Sequence, residues 1–161
     1  MTLPAIRFVP FTDADFQAWL TLAIPSYALG HVRDGQWTLA ESIEKSKEAH
    51  ALLLPQGAST PGHMFVRLRI DGEPRDVGHL WWAEVEAGGL NGAYVYGVEV
   101  EEFARRRGVA RAAFGELERV ARSRGLRFVS LHVFGHNDGA RRLYEELGFA
   151  PTNITMRKDL R

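Results

Sequence analysis

The chain has 161 residues, 45% of them hydrophobic, and its 20 basic residues are balanced by 20 acidic ones. That length and apolar fraction suit a single domain over residues 1–161 with one buried core, while the balanced charge argues against a broad nucleic-acid footprint or a basic membrane surface. With no cysteine, disulfides, thiolate metal sites and a cysteine nucleophile are excluded.

The opening MTLPAIRFVPFTDAD carries neither the basic nor the apolar region of a signal peptide, and no run reaches the roughly eighteen apolar residues of a membrane span, so a cytoplasmic protein is expected. Ile6 and Phe8 alternate with Arg7 and Val9 in a short strand pattern, after which Thr12 or Asp13 can cap a helix. Residues 13 to 33 read as helical with a break near Pro25. Thr38-x-x-Glu41 has capping-box form and opens a second helix before Pro55. In this helical pair Trp19, Leu20, Leu29, Leu39, Ile43, Leu52 and Leu53 are expected first of all to pack. The tract from Pro55 to Gly62 is turn chemistry and the expected flexible loop.

From His63 the period changes to two. Met64, Val66, Leu68 and Ile70 alternate with Phe65, Arg67 and Arg69, and Asp71-Gly72 supplies a turn. Val77 to Val85 and Tyr94 to Val100 complete an expected antiparallel meander. An arginine-rich turn around Gly108 leads into a helix from about Arg107 to Arg124, stopped at Gly125. A strand feeding a helix start through such a turn makes an anion site: the first-turn N–H groups lack intrahelical partners, the dipole end is positive, and glycine permits close approach. Cations at a helix start oppose the dipole, so Arg105, Arg106 and Arg107 call for a bound phosphate. Leu126 to Phe134 reads as a further strand, Asn137 or Asp138 caps a short helix ending at Gly148, and Thr152 to Leu160 alternates as a last strand.

The succession of strand, Arg105-x-x-Gly108-x-Ala110, helix, strand and Asn137-x-x-Ala140-x-x-Leu143-Tyr144-Glu-x-x-Gly148-Phe149 resembles the GCN5-related N-acetyltransferase (GNAT) superfamily. The wording LHVFGHN, LYEELGF and TNITMRKDL is similar to a bacterial branch of mostly unassigned acceptor specificity. The close likeness covers roughly residues 75 to 161, and Ala110 stands where the commonest pattern has glycine. The resemblance implies an α/β (α+β) fold with a mixed central sheet splayed between strands 4 and 5, flanked by about four helices. It further implies acetyl-CoA in the gap: the diphosphate on the N–H groups of Arg106, Arg107, Gly108, Val109, Ala110 and Arg111 beside Arg105, the pantetheine along Val98, Glu99 and Val100, and Asn137 on the cofactor chain. The implied activity is N-acetyl transfer to a primary amine by direct attack in a ternary complex, without metal or covalent enzyme intermediate.

Such transfer needs a neutral nucleophile, an oxyanion partner and a proton for the leaving thiolate. A lysine-like amine is neutral in only about one molecule in 2,500 at pH 7, roughly 4.6 kcal/mol that a base or a desolvating pocket must offset. His132, alternating with Leu131 and Val133, is the candidate base, at a position where some relatives carry glutamate; a histidine hydrogen-bonded within the sheet is the plainer alternative. Tyr144 matches the tyrosine that protonates the thiolate in many GNAT enzymes, although packing would also place it inward. Tyr96 occupies a fourth-strand position where relatives carry a base and Tyr94 stands two residues earlier on the same face, so both are read as acceptor-pocket walls or water holders, with aromatic strand core the plainer alternative and Trp82 a third wall candidate. By period-two parity Glu99 faces away from Tyr96. The other histidines, His31, His50, His63, His79 and His136, show no metal-ligand spacing. The expected partner is a small-molecule or peptide amine, with no nucleic acid or membrane; a homodimer stays open. Two other readings remain: a protein N-terminal or lysine acetyltransferase of the ribosomal-protein type, and a non-catalytic acetyl-CoA-binding module.

Overall fold

A computed structural model describes residues 2–160 and builds them around a five-stranded sheet of order β1-β2-β3-β4-β5. The strands are β1 (Ile6–Pro10), β2 (His63–Ile70), β3 (Gly78–Ala87), β4 (Leu90–Val100) and β5 (Val129–Leu131); the helices are α1 (Asp13–Arg33), α2 (Leu39–Leu53), α3 (Val109–Ser123) and α4 (Asp138–Glu146). Neighbours from β1 to β4 are antiparallel, whereas β4 and β5 are parallel, joined through α3. This is the mixed, helix-flanked α/β architecture that the sequence implied.

Alternation sends successive residues to opposite faces of the sheet. On one face Leu68, Leu80, Trp82 and Val95 pack against Val109, Ala113, Phe114, Leu117 and Ala121 of α3. The other face is aromatic: Phe65 and Trp81 meet Phe16 and Leu54, with Trp19 and Tyr96 around them. The rings of Phe65, Trp81 and Tyr96 stack across three adjacent strands at centroid spacings of 5.0 and 4.5 Å.

α1 begins with a capping box in which the Thr12 hydroxyl accepts from Asp15 N while the Asp15 carboxylate accepts from Thr12 N. It runs without a break through Pro25, contrary to the expected interruption. Proline removes one bond from the ladder, but this helix is held by its partner: Ala28 is 1% exposed, and Ser46 Oγ of α2 donates to Ile24 O at 2.7 Å. The buried stripe of α2 is Ser42, Ser46 and His50, whereas Leu39, Ile43 and Leu52 face outward, as does Leu29 of α1. Apolar content alone therefore picks the wrong side of α2. Small hydroxyl side chains permit close helix contact while bonding to main-chain carbonyls, with Ser42 Oγ donating to Leu39 O at 2.9 Å.

Two further expectations are corrected. The fifth strand is shorter than Leu126 to Phe134, its ladder to β4 covering Val129–Leu131. Residues 152–160 form no strand; Ile154, Met156 and Leu160 are exposed, and Arg157 Nη1 donates to Gly35 O at 3.1 Å in the α1–α2 connection. Weak alternation interrupted by Lys158 gives this segment no continuous apolar face to bury. No helix of the described residues is long and apolar enough to cross a membrane.

Candidate active site

β4 pairs with β5 at Ala93–Val129, Tyr94–Ser130 and Val95–Leu131, and the pairing ends there. Just beyond, the β3–β4 register shifts: Trp82 opposes Val95 while Trp81 opposes Gly97, leaving Tyr96 as an extra residue. Such a bulge bends a strand and ends regular pairing. From Tyr96 to Val100 the β5 side of β4 is consequently free of a strand partner. Sheet edges of this kind bind extended chains through main-chain amides. The splay expected between the fourth and fifth strands is present, and the bulge is its local cause.

The bulge also overturns the parity expected for Glu99. Ala93, Val95, Val98 and Val100 all pack on the α3 side, so the alternation slips by one residue at Tyr96 and Gly97. Glu99 thus lies on the same face as Tyr96, where its Oε2 is 3.7 Å from His79 Nε2. Burial holds His79 below the ordinary histidine value, against the pull of Glu99 and Glu101.

Past β4 the chain turns sharply into α3. Arg106 has φ 60° and Gly108 φ 76°. The left-handed conformation is costly for a side chain and natural for glycine at Gly108. No side chain caps α3, and the first main-chain bond back to the turn is Ala112 N to Gly108 O at 2.9 Å. The N–H groups of Val109, Ala110 and Arg111 therefore have no helical partners, while α4 has Asn137 Oδ1 accepting from Ala140 N at 3.2 Å. The arginines divide by partner. Arg105 Nε donates to Val100 O at 3.1 Å, Arg107 is paired with Glu73, Arg111 Nη2 lies 2.6 Å from Glu146, and Arg106 has no ion pair among the described residues. Open main-chain donors at a positive helix end with an uncommitted guanidinium fit a diphosphate.

Tyr144 sits on α4 with its ring 5.6 Å from Phe114 and 5.8 Å from Phe149. Burial raises its phenol above the ordinary tyrosine value, which keeps the proton on oxygen. His132 lies one residue past β5, exposed, with its ring edge-on to Phe134 at 5.4 Å. Both line a cavity of about 820 Å³ between β5, α3, α4 and residues 147–155. Tyr94 and Tyr96 stand together on the aromatic face at 4.7 Å. Burial, then the neighbouring hydroxyls of Tyr96 and Tyr27, push Tyr94 above its ordinary value. Trp82 is 1% exposed on the opposite face, against α3, so it cannot wall an acceptor cleft; Trp81, stacked on Tyr96, holds the position expected of it. Two neighbouring tryptophans on a strand give no clue to which face is which.

Sequence reading also passed over the end of α1. Tyr27, His31 and Trp37 form a ring cluster that reaches Phe134, with His31 stacked on Trp37 at 4.0 Å and edge-on to Phe134 at 5.2 Å. Gly30 makes this possible, because a Cβ there would stand 2.6 Å from the Phe134 ring. Among the described residues no group of three or more His, Asp or Glu is placed to hold a metal ion.

Comparison with known proteins converges on one family. The sequence model described as Acetyltransferase (GNAT) family matches residues 26–149. The uncharacterized N-acetyltransferase YycN of Bacillus subtilis is 36% identical over 96% of the chain and 99% of its own length, and YdgE of the same organism is 34% identical over 97% and 99%. The crystal structure of YycN, a putative acetyltransferase, superposes with a TM-score of 0.90, covering 96% of this chain and 98% of that one. A mycothiol acetyltransferase of Thermobispora bispora is 32% identical over 84% of the chain, which spans 43% of that longer protein.

Proposed function

The chain belongs to the GNAT acetyltransferase family, and from that premise we propose that it moves an acetyl group from acetyl-CoA to a primary amine by direct attack in a ternary complex. The observation that carries this reading is the parting of β4 from β5 at the Tyr96 bulge, directly upstream of an uncapped α3 start. Acetyl-CoA supplies the activated thioester carbonyl. The N–H groups of Val109, Ala110 and Arg111, with Arg106, hold the diphosphate; Val98, Glu99 and Val100 offer their main chain to the pantetheine; Asn137 bonds the chain of the cofactor from the α4 cap. Gly108 keeps that turn open, and Arg105, drawn onto Val100 O, ties the loop to the strand it follows. Arg107 and Arg111 must leave Glu73 and Glu146 to contribute directly, so they act on the phosphate through the local potential.

Tyr144 gives its proton to the departing thiolate. Its burial supports that role, since a phenol held neutral has a proton to give. Tyr94 and Tyr96, with Trp81 behind them, wall the acceptor side, and His132, exposed one residue past β5, receives the proton of the amine. The mycothiol acetyltransferases do not transfer their acceptor to this chain, which spans less than half of them.

Free-thiol release from acetyl-CoA, measured against small amines and peptides, tests the reading. Turnover with at least one primary amine, together with calorimetric binding of acetyl-CoA, is the expected result. No heat of binding at millimolar acetyl-CoA would remove the phosphate loop and the activity together. Binding without turnover on any amine would leave the non-catalytic module as the correct reading.

A further inference from the structure

We propose that the cavity outside β5 is a slot for residues 153–159 of a second copy of this chain, whose own slot takes up the same residues of the first, so that the two sheets join through exchanged strands.

β5 ends the sheet with one side unused. Within a strand the N–H and C=O of a residue point to the same side, and successive residues alternate between sides. Phe128 O accepts from Ala93 N of β4 at 2.9 Å, and Ser130 lies opposite Tyr94 in the parallel ladder. Phe128 and Ser130 therefore bond towards β4, which turns the main-chain groups of Val129, Leu131 and Val133 to the slot. Among the described residues no main-chain hydrogen bond reaches them from that side. A bare edge of this kind is a template for another strand.

The segment that borders the slot is equally short of neighbours. Residues 153–160 form neither helix nor turn, and among the described residues no N–H or C=O of residues 150–160 takes part in a main-chain hydrogen bond. Ile154, Met156 and Leu160 are spaced so that an extended chain puts them on one side, and they are 70%, 88% and 90% exposed. That is the pattern of a strand whose partners are missing.

The segment does not close the slot of its own chain. Phe149 N donates to Tyr144 O at 2.9 Å and its ring packs on Phe114 at 5.6 Å, while Arg157 Nη1 donates to Gly35 O at 3.1 Å. Moored at both ends, the segment stands off β5 across the 820 Å³ cavity, which has β5 on one wall and Phe149 to Thr155 on the other. A five-residue piece of strand, about 17 Å long, 4.8 Å wide and 10 Å deep, fills roughly 800 Å³. The slot has room for one strand.

A second copy completes both edges at once. Gly35 lies at the exit of β5, where a Cβ on Gly135 would stand 4.0 Å from Asp34 Oδ1. With Arg157 held there, the segment runs in the direction of β5, as a segment does after a crossover helix. A two-fold axis perpendicular to the sheet sets two such segments antiparallel. The order across the joint is then β5, the other copy's segment, this copy's segment and the other copy's β5. Every edge gains a neighbour, the contact is the same on both copies, and neither copy has to release Phe149 or Arg157. An unrelated extended peptide in the slot would leave the outer edge of the segment bare. Three new strand junctions, each about 17 Å by 10 Å, bury roughly 1,000 Å² over the two copies, the size at which specific interfaces begin.

The full chain without coenzyme A tests this. Sedimentation should show a dimer that persists to micromolar concentration; a monomer there overturns the proposal. Isotope-filtered NMR of a mixture of labelled and unlabelled chains should then connect the amides of Val129, Leu131 and Val133 to residues 153–159 of the other copy. Such contacts within one copy alone mean that the segment has closed its own slot, and a dimer without them uses another face; either result overturns the proposal. Two substitutions separate the exchange from general packing. Thr155→Pro removes an N–H from a strand flanked on both sides, and Met156→Asp puts a charge at a side chain that is 88% exposed in the single copy. Each should weaken the dimer at least about 100-fold with the far-UV circular dichroism unchanged. Met156→Asp decides the matter if Thr155→Pro does not fold, and wild-type dimer affinity in Met156→Asp overturns the proposal.

Discussion

At the start of α3 the functional groups are main-chain N–H donors held by one turn of contiguous sequence, Arg105 to Arg111, and backed by the Phe114 core. On the opposite face of the sheet the groups are side chains: Tyr94 and Tyr96 stand 4.7 Å apart with Tyr96 stacked on Trp81, and at the end of α1 Tyr27, His31 and Trp37 cluster with Phe134. In the proposed function the first region would read a diphosphate, which every acetyl-CoA carries, so it can be made of backbone. The second would read the acceptor, and only side chains differ enough from protein to protein to do that.

Substitutions can sharpen or break that contrast. Phe114→Ala removes a ring that is 1% exposed between α3 and Tyr144, and should cost about 3–5 kcal/mol in urea unfolding, whereas Tyr27→Ala, at a residue 40% exposed, should cost far less. Comparable losses would mean that the acceptor wall is as much a part of the core as α3. Next in size, Tyr144→Phe should lower kcat about 100-fold while acetyl-CoA binding in calorimetry stays within about twofold. Parallel loss of both would make Tyr144 a packing residue. Gly108→Val puts a branched side chain at φ 76°, for a cost of roughly 1–2 kcal/mol, and should weaken acetyl-CoA about tenfold with little change in KM for the amine. An altered amine KM at unchanged cofactor affinity would contradict the division of labour.

The smallest effect concerns pH. Burial holds His63 and His79 below the ordinary histidine value of about 6.5, and both lie on the aromatic face. The unfolded chain therefore takes up protons first as pH falls below that value. The stabilisation from keeping these rings neutral is fully present above it and is lost progressively below it. The urea midpoint should decline from pH 7 to pH 5, and replacing both histidines by asparagine should flatten that slope. An unchanged slope would place the pH sensitivity elsewhere.

What could be read in the sequence follows the same division. Arg105-x-x-Gly108-x-Ala110 is local, and a left-handed glycine before a helix is a constraint that neighbouring residues express. α3 was legible for that reason and the antiparallel meander from its period-two alternation, while the mixed sheet and its splay followed only from the resemblance that the motif carries. The Tyr96 bulge was not, because an extra residue in a strand leaves alternation looking intact while reversing the side on which Glu99 emerges. Trp81 and Trp82 could not be told apart without the register to β4, and the serine stripe of α2 was hidden by apolar residues that face outward. The cluster of Tyr27, His31 and Trp37 carries no local signal either, because Phe134, which completes it, is distant in sequence.

The central claim is that acetyl-CoA lies in the gap opened at Tyr96 with its diphosphate on the start of α3, and an amide NMR titration with coenzyme A tests it most directly. The account predicts that the amides of Val109, Ala110 and Arg111 and those of Val98 to Val100 shift together along one saturating isotherm. Saturable binding that leaves those amides unmoved while shifting Val129 to Val133 and Leu147 to Thr155, around the cavity outside β5, would contradict it.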